Sequence, residues 1–123
     1  MVREVGEKVK IDVATLRPSQ KVKGQVIRCD LIRTLTITCR VTYDGSATNP
    51  VRVNLYFSPN GKQWDTVPYT YFEPDLSAGE TVQETAIIDM PEGGYMMFEV
   101  ENRDSSVSAT NIKVWIDFVR WVV

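Results

Sequence analysis

The sequence predicts an all-β chain: a single antiparallel β-sandwich of about eight strands, jelly-roll or immunoglobulin-like in topology. Three observations predict it. Apolar and polar residues alternate with a period of two through residues 33–43, 51–57 and 95–103, the pattern of strands with one face buried. Turn-forming clusters punctuate the chain at short intervals: Asp44-Gly45, Ser58-Pro59-Asn60-Gly61, Ala78-Gly79 and Pro91-Glu92-Gly93-Gly94. No stretch sustains a 3.6-residue period, and no repeat of 20–50 residues is present. A chain of 123 residues is one domain's worth, able to bury roughly two-thirds of its unfolded surface. With 43% hydrophobic and 24% charged residues, it lies far from the composition of a disordered chain.

Taken in order, residues 1–6 read as a flexible leader and residues 7–123 as the sandwich domain. Val9, Ile11 and Val13 alternate with Lys8, Lys10 and Asp12 to give a first short strand. Leu16-Arg17-Pro18-Ser19-Gln20 breaks it. A second, weaker strand runs through Val22 and Val26 to Cys29, with Gly24 marking a bulge or a close backbone approach. Residues 33–43 form the most regular strand: Leu35, Ile37, Cys39, Val41 and Tyr43 share one face, and Thr34, Thr36, Thr38, Arg40 and Thr42 the other. β-branched Thr suits a solvated sheet face because its stiff χ1 fits the pleat. Val51, Val53, Leu55 and Phe57 define the next strand. The Ser58–Gly61 turn then suggests a tight hairpin returning at Gln63, Trp64 and Asp65. Pro68 and Pro74 make residues 67–77 an irregular edge strand or a long loop, since Pro cannot donate to a central ladder. Residues 81–90 form a strand with Val82, Ala86, Ile88 and Met90 on one face and Glu84 interrupting it. Met96, Phe98 and Val100 face away from Tyr95, Met97, Glu99 and Glu101 in the seventh. In the last strand, 111–122, Ile112, Val114, Ile116 and Phe118 point one way and Trp115, Val119, Trp121 and Val123 the other.

Several function classes are disfavoured. The chain has no histidine, which removes the commonest general base, the Ser-His and Cys-His nucleophile pairs and the usual partner of cysteine at zinc. No phosphate-cradling motif is present, and no cofactor or metal is expected. Net charge is −2 with Lys and Arg scattered, so no basic stripe marks a nucleic-acid surface. No apolar run approaches the roughly 20 residues that span a bilayer. The charged residues 1–8 lack an apolar core, so no signal peptide is read there. Cys29 and Cys39 read as free buried thiols, with a cross-strand disulfide as the alternative. Glu73 and Asp75, beside Tyr69–Phe72, could act as a glycosidase pair or take calcium. Acids in a Pro-rich loop are more commonly just solvated, and no enzymatic activity is expected.

Two sets of residues remain as candidates. If Ile112, Val114, Ile116 and Phe118 fill the core, then Trp115, Val119, Trp121 and Val123 form an outward apolar patch that suits a protein partner. The bland alternative is that residues 67–77 fold over it. Trp64, Tyr69, Tyr71 and Phe72 could instead stack on a carbohydrate, against the simpler reading that their rings are spent on packing.

The stretch Ser58-Pro59-Asn60-Gly61-Lys62-Gln63-Trp64-Asp65 resembles the S-x-D-G-x-x-W hairpin of discoidin-type carbohydrate- and lipid-binding sandwiches, with Asn60 where Asp is usual. A broader resemblance adds Ala78-Gly79-Glu80-Thr81-Val82-Gln83, Gly94-Tyr95 and Asn111-Ile112-Lys113-Val114-Trp115. It covers roughly the C-terminal two-thirds of the chain and is similar to small β-sandwich structural proteins of phages and thermophilic microbes. That likeness implies a structural or assembly role, commonly in a virion or cell-surface layer, and supplies no catalytic residues. The expectation is therefore a non-enzymatic protein that forms homo-oligomers or joins other particle subunits. A carbohydrate-binding module is the alternative.

Overall fold

The computed structural model describes residues 2–122, and the side chains of residues 11–120. Eight strands follow in order: β1 (Val2–Leu16), β2 (Lys21–Arg28), β3 (Ile32–Thr42), β4 (Val51–Ser58), β5 (Thr70–Phe72), β6 (Thr81–Asp89), β7 (Tyr95–Asn102) and β8 (Ala109–Val122). There is no helix among the described residues. The strands form two four-stranded sheets, a front sheet ordered β1-β8-β3-β6 and a back sheet ordered β2-β7-β4-β5. All pairings are antiparallel. The partners nest as β1 with β8, β2 with β7, β3 with β6 and β4 with β5, so the chain is one long hairpin folded at β4–β5 and rolled over itself. Of the two topologies the sequence leaves open, this wrapping is the jelly roll.

The core sits between the sheets and follows the period-two pattern. Leu35, Ile37, Cys39 and Val41 of β3 meet Val51, Val53 and Leu55 of β4, Met96, Phe98 and Val100 of β7, and Ile112, Val114 and Ile116 of β8, all buried. On β3 the intervening Thr36, Thr38 and Thr42 stay half-exposed. The register of β2 against β7 shifts between Lys23 and Val26, the bulge that Gly24 foreshadows. Cys29 follows β2 and Cys39 lies on β3, in opposite sheets; both are free and buried.

Two sequence expectations change. Residues 2–6, read as a leader from the sequence, are extended within β1 opposite residues 118–122. The tight hairpin over 51–65 opens into a longer excursion. Asp65 N–H still reaches Phe57 C=O at 3.0 Å, but residues 63–65 form no strand, and the true partner of β4 is the three-residue β5. The side chains of Ser58 and Asn60 explain the widening. Ser58 Oγ accepts the N–H of Gly61 at 2.8 Å and Asn60 Oδ1 accepts those of Lys62 and Gln63 at 2.9 and 3.0 Å. These bonds curl residues 58–63 into a compact loop before any return strand can start.

One end of the sandwich is tied by two buried polar residues, Asn102 at the end of β7 and Asp104 just beyond it. Asn102 Nδ2 donates to the carbonyls of Leu16, Arg17 and Val107, and its Oδ1 accepts the N–H of Asp104. The Asp104 carboxylate accepts the N–H groups of Thr48, Asn49, Ser106 and Val107 at 2.8–3.2 Å. The backbone donors of Thr48, Ser106 and Val107 hold its carboxyl well below the usual carboxylate range. Thus the loops β1–β2, β3–β4 and β7–β8 share one hydrogen-bonded knot.

Candidate functional site

The outer face of the front sheet carries the described part of the predicted interface. Ile112, Val114 and Ile116 of β8 point into the core, so the pleat turns Lys113, Trp115, Asp117 and Val119 outward. Trp115 lies opposite Thr38 of β3. Two cations lie near its ring, the Arg40 guanidinium carbon 5.6 Å and the Lys113 Nζ 5.9 Å from the ring centroid, close enough for cation–π attraction. Arg40 Nε donates to Gln83 Oε1 at 3.1 Å, which aims the guanidinium across the sheet. Thr38, Arg40, Gln83, Trp115 and Asp117 line an open groove of about 320 Å³.

Around that groove the sheet surface is a regular array of hydroxyls. Thr38 and Thr85 share a hydrogen bond at 2.8 Å, as do Thr42 and Thr81. Such cross-strand pairs fix the β3–β6 register from outside the core. Residues 67–77 do not cover Trp115: their strand, β5, pairs with β4 in the other sheet. Trp115 and Val119 are half-buried; Thr38 lies opposite Trp115 on the β3 side, and on the β1 side the register pairs Val9 with Trp115 and Val5 with Val119. Val123 and the side chain of Trp121 lie outside the described residues.

The four aromatic candidates for carbohydrate stacking do not share one surface. Phe72 packs against the core, opposite Val53. Tyr71 faces outward at 51% exposure, with the Arg52 guanidinium 4.0 Å over its ring. Arg52 in turn binds Glu73 at 3.2 Å. Tyr69 tilts against Phe57, ring centroids 6.5 Å apart, and its hydroxyl donates to Asp89 C=O at 3.4 Å. Trp64 is half-buried. Glu73 is engaged by Arg52, while Asp75 is exposed and donates its backbone N–H to Glu84 Oε1 at 3.0 Å.

The sequence does not reveal a second polar cluster, on the outer face of the back sheet. Asn54 and Glu99 are cross-strand partners, 2% and 5% exposed. Asn54 Nδ2 bridges Glu99 and Glu101 at 3.2 Å each, and Tyr56 donates its hydroxyl to Glu99 at 3.2 Å. Burial and the neighbouring Glu99 charge raise the Tyr56 phenol above its ordinary value, so it remains a donor. Alternation marks Asn54, Tyr56 and Glu99 as outward and hence solvated. Asn54 and Glu99 are nevertheless buried, among neighbours on the same face that include Tyr71, paired opposite Asn54, which a one-dimensional pattern does not encode. No group of three or more His, Cys, Asp or Glu suited to a metal ion occurs among the described residues.

No protein-family model matches the chain. A stretch of 68 residues, 55% of this chain, is 37% identical to platelet-activating factor acetylhydrolase of Gallus gallus. The chain spans 15% of that curated relative's length. Among solved structures, the SPBc2 prophage-derived protein YomS superposes with a TM-score of 0.52 at 17% identity, covering 97% of this chain and 96% of that one. The subunit of the Bacillus endospore appendages, described as disulfide-linked pili, superposes at 0.50 and 10% identity, covering 98% and 93%. The CBM22-1-GH10 modules of Clostridium thermocellum xylanase 10B, in complex with xylohexaose, superpose at 0.53 and 13% identity over 76% of this chain and 17% of that one. At these identities the likeness is one of fold.

Proposed function

We propose that this chain is a non-enzymatic structural protein that self-associates or decorates a larger particle, such as a virion or an extracellular layer or filament. The observation that carries this reading is Trp115, standing half-exposed at the middle of a sheet face beside Arg40 and Lys113, with the β5 segment in the other sheet rather than over it. Trp and Arg are enriched among the residues that anchor protein interfaces: the ring buries a large rigid area and the guanidinium offers a planar fork of donors. The surrounding Thr array supplies a level, hydrogen-bonding rim. The resemblance to small phage and thermophile sandwich proteins supports the same reading, as does the fold likeness to a prophage-derived protein and a spore pilus subunit over nearly their whole lengths. The chain is expected to work without a cofactor, nucleic acid or membrane insertion. No described helix is long and apolar enough to cross a bilayer.

The test is sedimentation velocity with negative-stain imaging. The wild-type chain is expected to form oligomers or to co-sediment with particles, and Trp115→Ala to lose particle binding or higher assembly with unchanged circular dichroism. A clean monomer at high concentration that joins no particle would refute the assignment. Carbohydrate binding is the second reading, favoured by the exposed Tyr71 ring and by the fold likeness to a xylanase binding module. Hits on a glycan array that vanish in Tyr71→Ala would replace the assembly reading with this one.

A further inference from the structure

The four sheet edges are unequally protected. Unpaired edges invite pairing with another chain, and proteins blunt them with bulges, Lys, Pro or brevity. β5 is three residues long and lies between Pro68 and Pro74. β2 carries Lys21 and Lys23 and is bulged between Lys23 and Val26. β1 is bulged between Val9 and Ile11. β6 runs nine residues, Thr-Val-Gln-Glu-Thr-Ala-Ile-Ile-Asp, in unbroken register with β3. It contains no Lys, Pro or Gly, and Ile87 stands 74% exposed upon it.

The phase of its backbone follows from two bonds. Tyr43 N–H donates to Glu80 C=O at 2.9 Å, and Met90 N–H to Arg33 C=O at 2.8 Å. In an antiparallel ladder the bonded residues recur every second position. The residues at even positions from Glu80 to Met90 therefore bond β3, while the N–H and C=O groups of Thr81, Gln83, Thr85, Ile87 and Asp89 point away from the sheet. Of these, Asp89 C=O receives the long Tyr69 bond; those of Gln83, Thr85 and Ile87 have no partner among the described residues. Beside this edge, Tyr69, Thr70, Ile87, Ile88 and Asp89 line an open groove of about 330 Å³ between the two sheets.

We propose that β6 is the site where a second copy of this chain adds its own β6, antiparallel, across a two-fold axis at Thr85. This deepens the self-association reading and rests on it. The partner is argued by elimination and by register. β5 is short, and β1 and β2 are both bulged and both carry Lys, so β6 is the one long edge of the four with neither a break in register nor a Lys. With Thr85 opposite Thr85 of the second copy, Gln83 meets Ile87 and Thr81 meets Asp89, giving about ten backbone bonds at two per bonded pair. On the inner side Val82 meets Ile88 beside the groove, and Glu84 meets Ala86. No like charges stand directly opposite, and every outward backbone group finds a complement. A contact of this kind is isologous and closes as a dimer.

The experiment is analytical ultracentrifugation of the full chain beside two variants. Ile87→Pro removes an outward N–H and no bond to β3, and is expected to weaken the dimer by on the order of tenfold or more. Ile87→Lys, at a side chain already mostly in water, is the second variant should Pro disturb the fold. Thr85→Cys is expected to form a disulfide-linked dimer on mild oxidation, since paired Cα atoms in such a ladder lie about 5.5 Å apart, while the buried Cys29 and Cys39 stay reduced. An oligomer unmoved by either Ile87 variant, with no cross-link formed by Thr85→Cys, overturns the β6 contact and leaves the assembly reading intact. A monomer that still binds particles does the same. A monomer that binds nothing overturns both.

Discussion

Tyr43→Phe removes one oxygen atom from the core and should be among the costliest conservative changes in the protein. Tyr43 is 3% exposed. Its hydroxyl donates to Pro74 C=O at 2.6 Å and accepts the N–H of Val51 at 3.2 Å. One group thereby ties the end of β3 to the start of β4 and to the loop between β5 and β6. Phe fills the same space, so no cavity or packing term enters. What is left is a buried N–H and a buried C=O without their partner, and stranding such groups costs about 1–3 kcal/mol. For 123 residues, an unfolding entropy of roughly 2.1 cal/mol/K per residue sums to about 0.26 kcal/mol/K. Each kcal/mol then lowers Tm by about 4 °C, and the substitution by about 4–12 °C. Differential scanning calorimetry measures it, with Tyr71→Phe as the control: that ring is 51% exposed, so water replaces whatever its hydroxyl binds and Tm should hold. A Tm for Tyr43→Phe equal to wild type would show that Val51 and Pro74 find other partners, and the reasoning would fail.

Alkali should destabilise the protein early. Burial, with help from Asp30, pushes the Cys29 thiol up to about 11, and burial with the nearby Glu84 pushes Cys39 up to about 12. Burial raises the Tyr43 phenol as well. Groups whose folded values exceed their unfolded values of about 8.5 and 10 stabilise fully below those values and lose that contribution as pH rises through the folded ones; the urea midpoint should therefore fall between about pH 9 and 12. Asp104 works in the opposite sense. Its lowered folded value adds stability above the unfolded carboxylate value of about 3.9 that is lost as pH falls below it, and Asp104→Asn should flatten the acid limb of the same titration. Gly94→Ala should cost more than about 1 kcal/mol, because Gly94 has φ +81° and an added Cβ would lie 2.6 Å from the Phe57 ring and 2.7 Å from Ser58 C=O; a urea midpoint equal to wild type would refute it.

What can be read from the sequence is whatever depends on alternation. It places β3, β4, β6, β7 and β8 within a few residues and assigns the buried faces of β3, β7 and β8, because one face of each strand lies on the core and the other faces away from it. Alternation carries no information about partners. The return of the chain after Ser58 is misplaced because the Ser58 and Asn60 side chains capture the backbone donors a hairpin would use. Trp115 faces outward, as the pattern implies, but the cation that reaches its ring from β3, Arg40, cannot be read from the alternation of β8, because it comes from another strand. The knot at Asn102 and Asp104 reads in sequence as a plain polar loop. Its meaning lies in the chain segments it joins, residues 16–17, 48–49 and 106–107, which only the wrapping brings together.

The two proposed contacts on the front sheet point in different directions, and this decides what the protein can build. The β6 edge extends the sheet in its own plane, whereas the Trp115 face is perpendicular to that plane. Using one leaves the other free. Pairing through β6 would make a continuous sheet ordered β1-β8-β3-β6-β6-β3-β8-β1, with both Trp115 rings on the same side. Five strand gaps of about 4.8 Å separate the two β8 strands, so the rings would sit roughly 24 Å apart on a level, Thr-rich surface. A two-fold dimer with two identical anchors on one face has the valency to bind a repeating lattice, where the second contact gains from the first through effective concentration. The back sheet offers no comparable surface, because its outward polar groups are largely spent on each other: Asn54 on Glu99 and Glu101, Arg52 on Tyr71 and Glu73. Weakening the β6 pair should therefore lower affinity for a particle far more than it lowers the affinity of a single Trp115 face, and Ile87→Pro combined with Trp115→Ala should add little to Trp115→Ala alone.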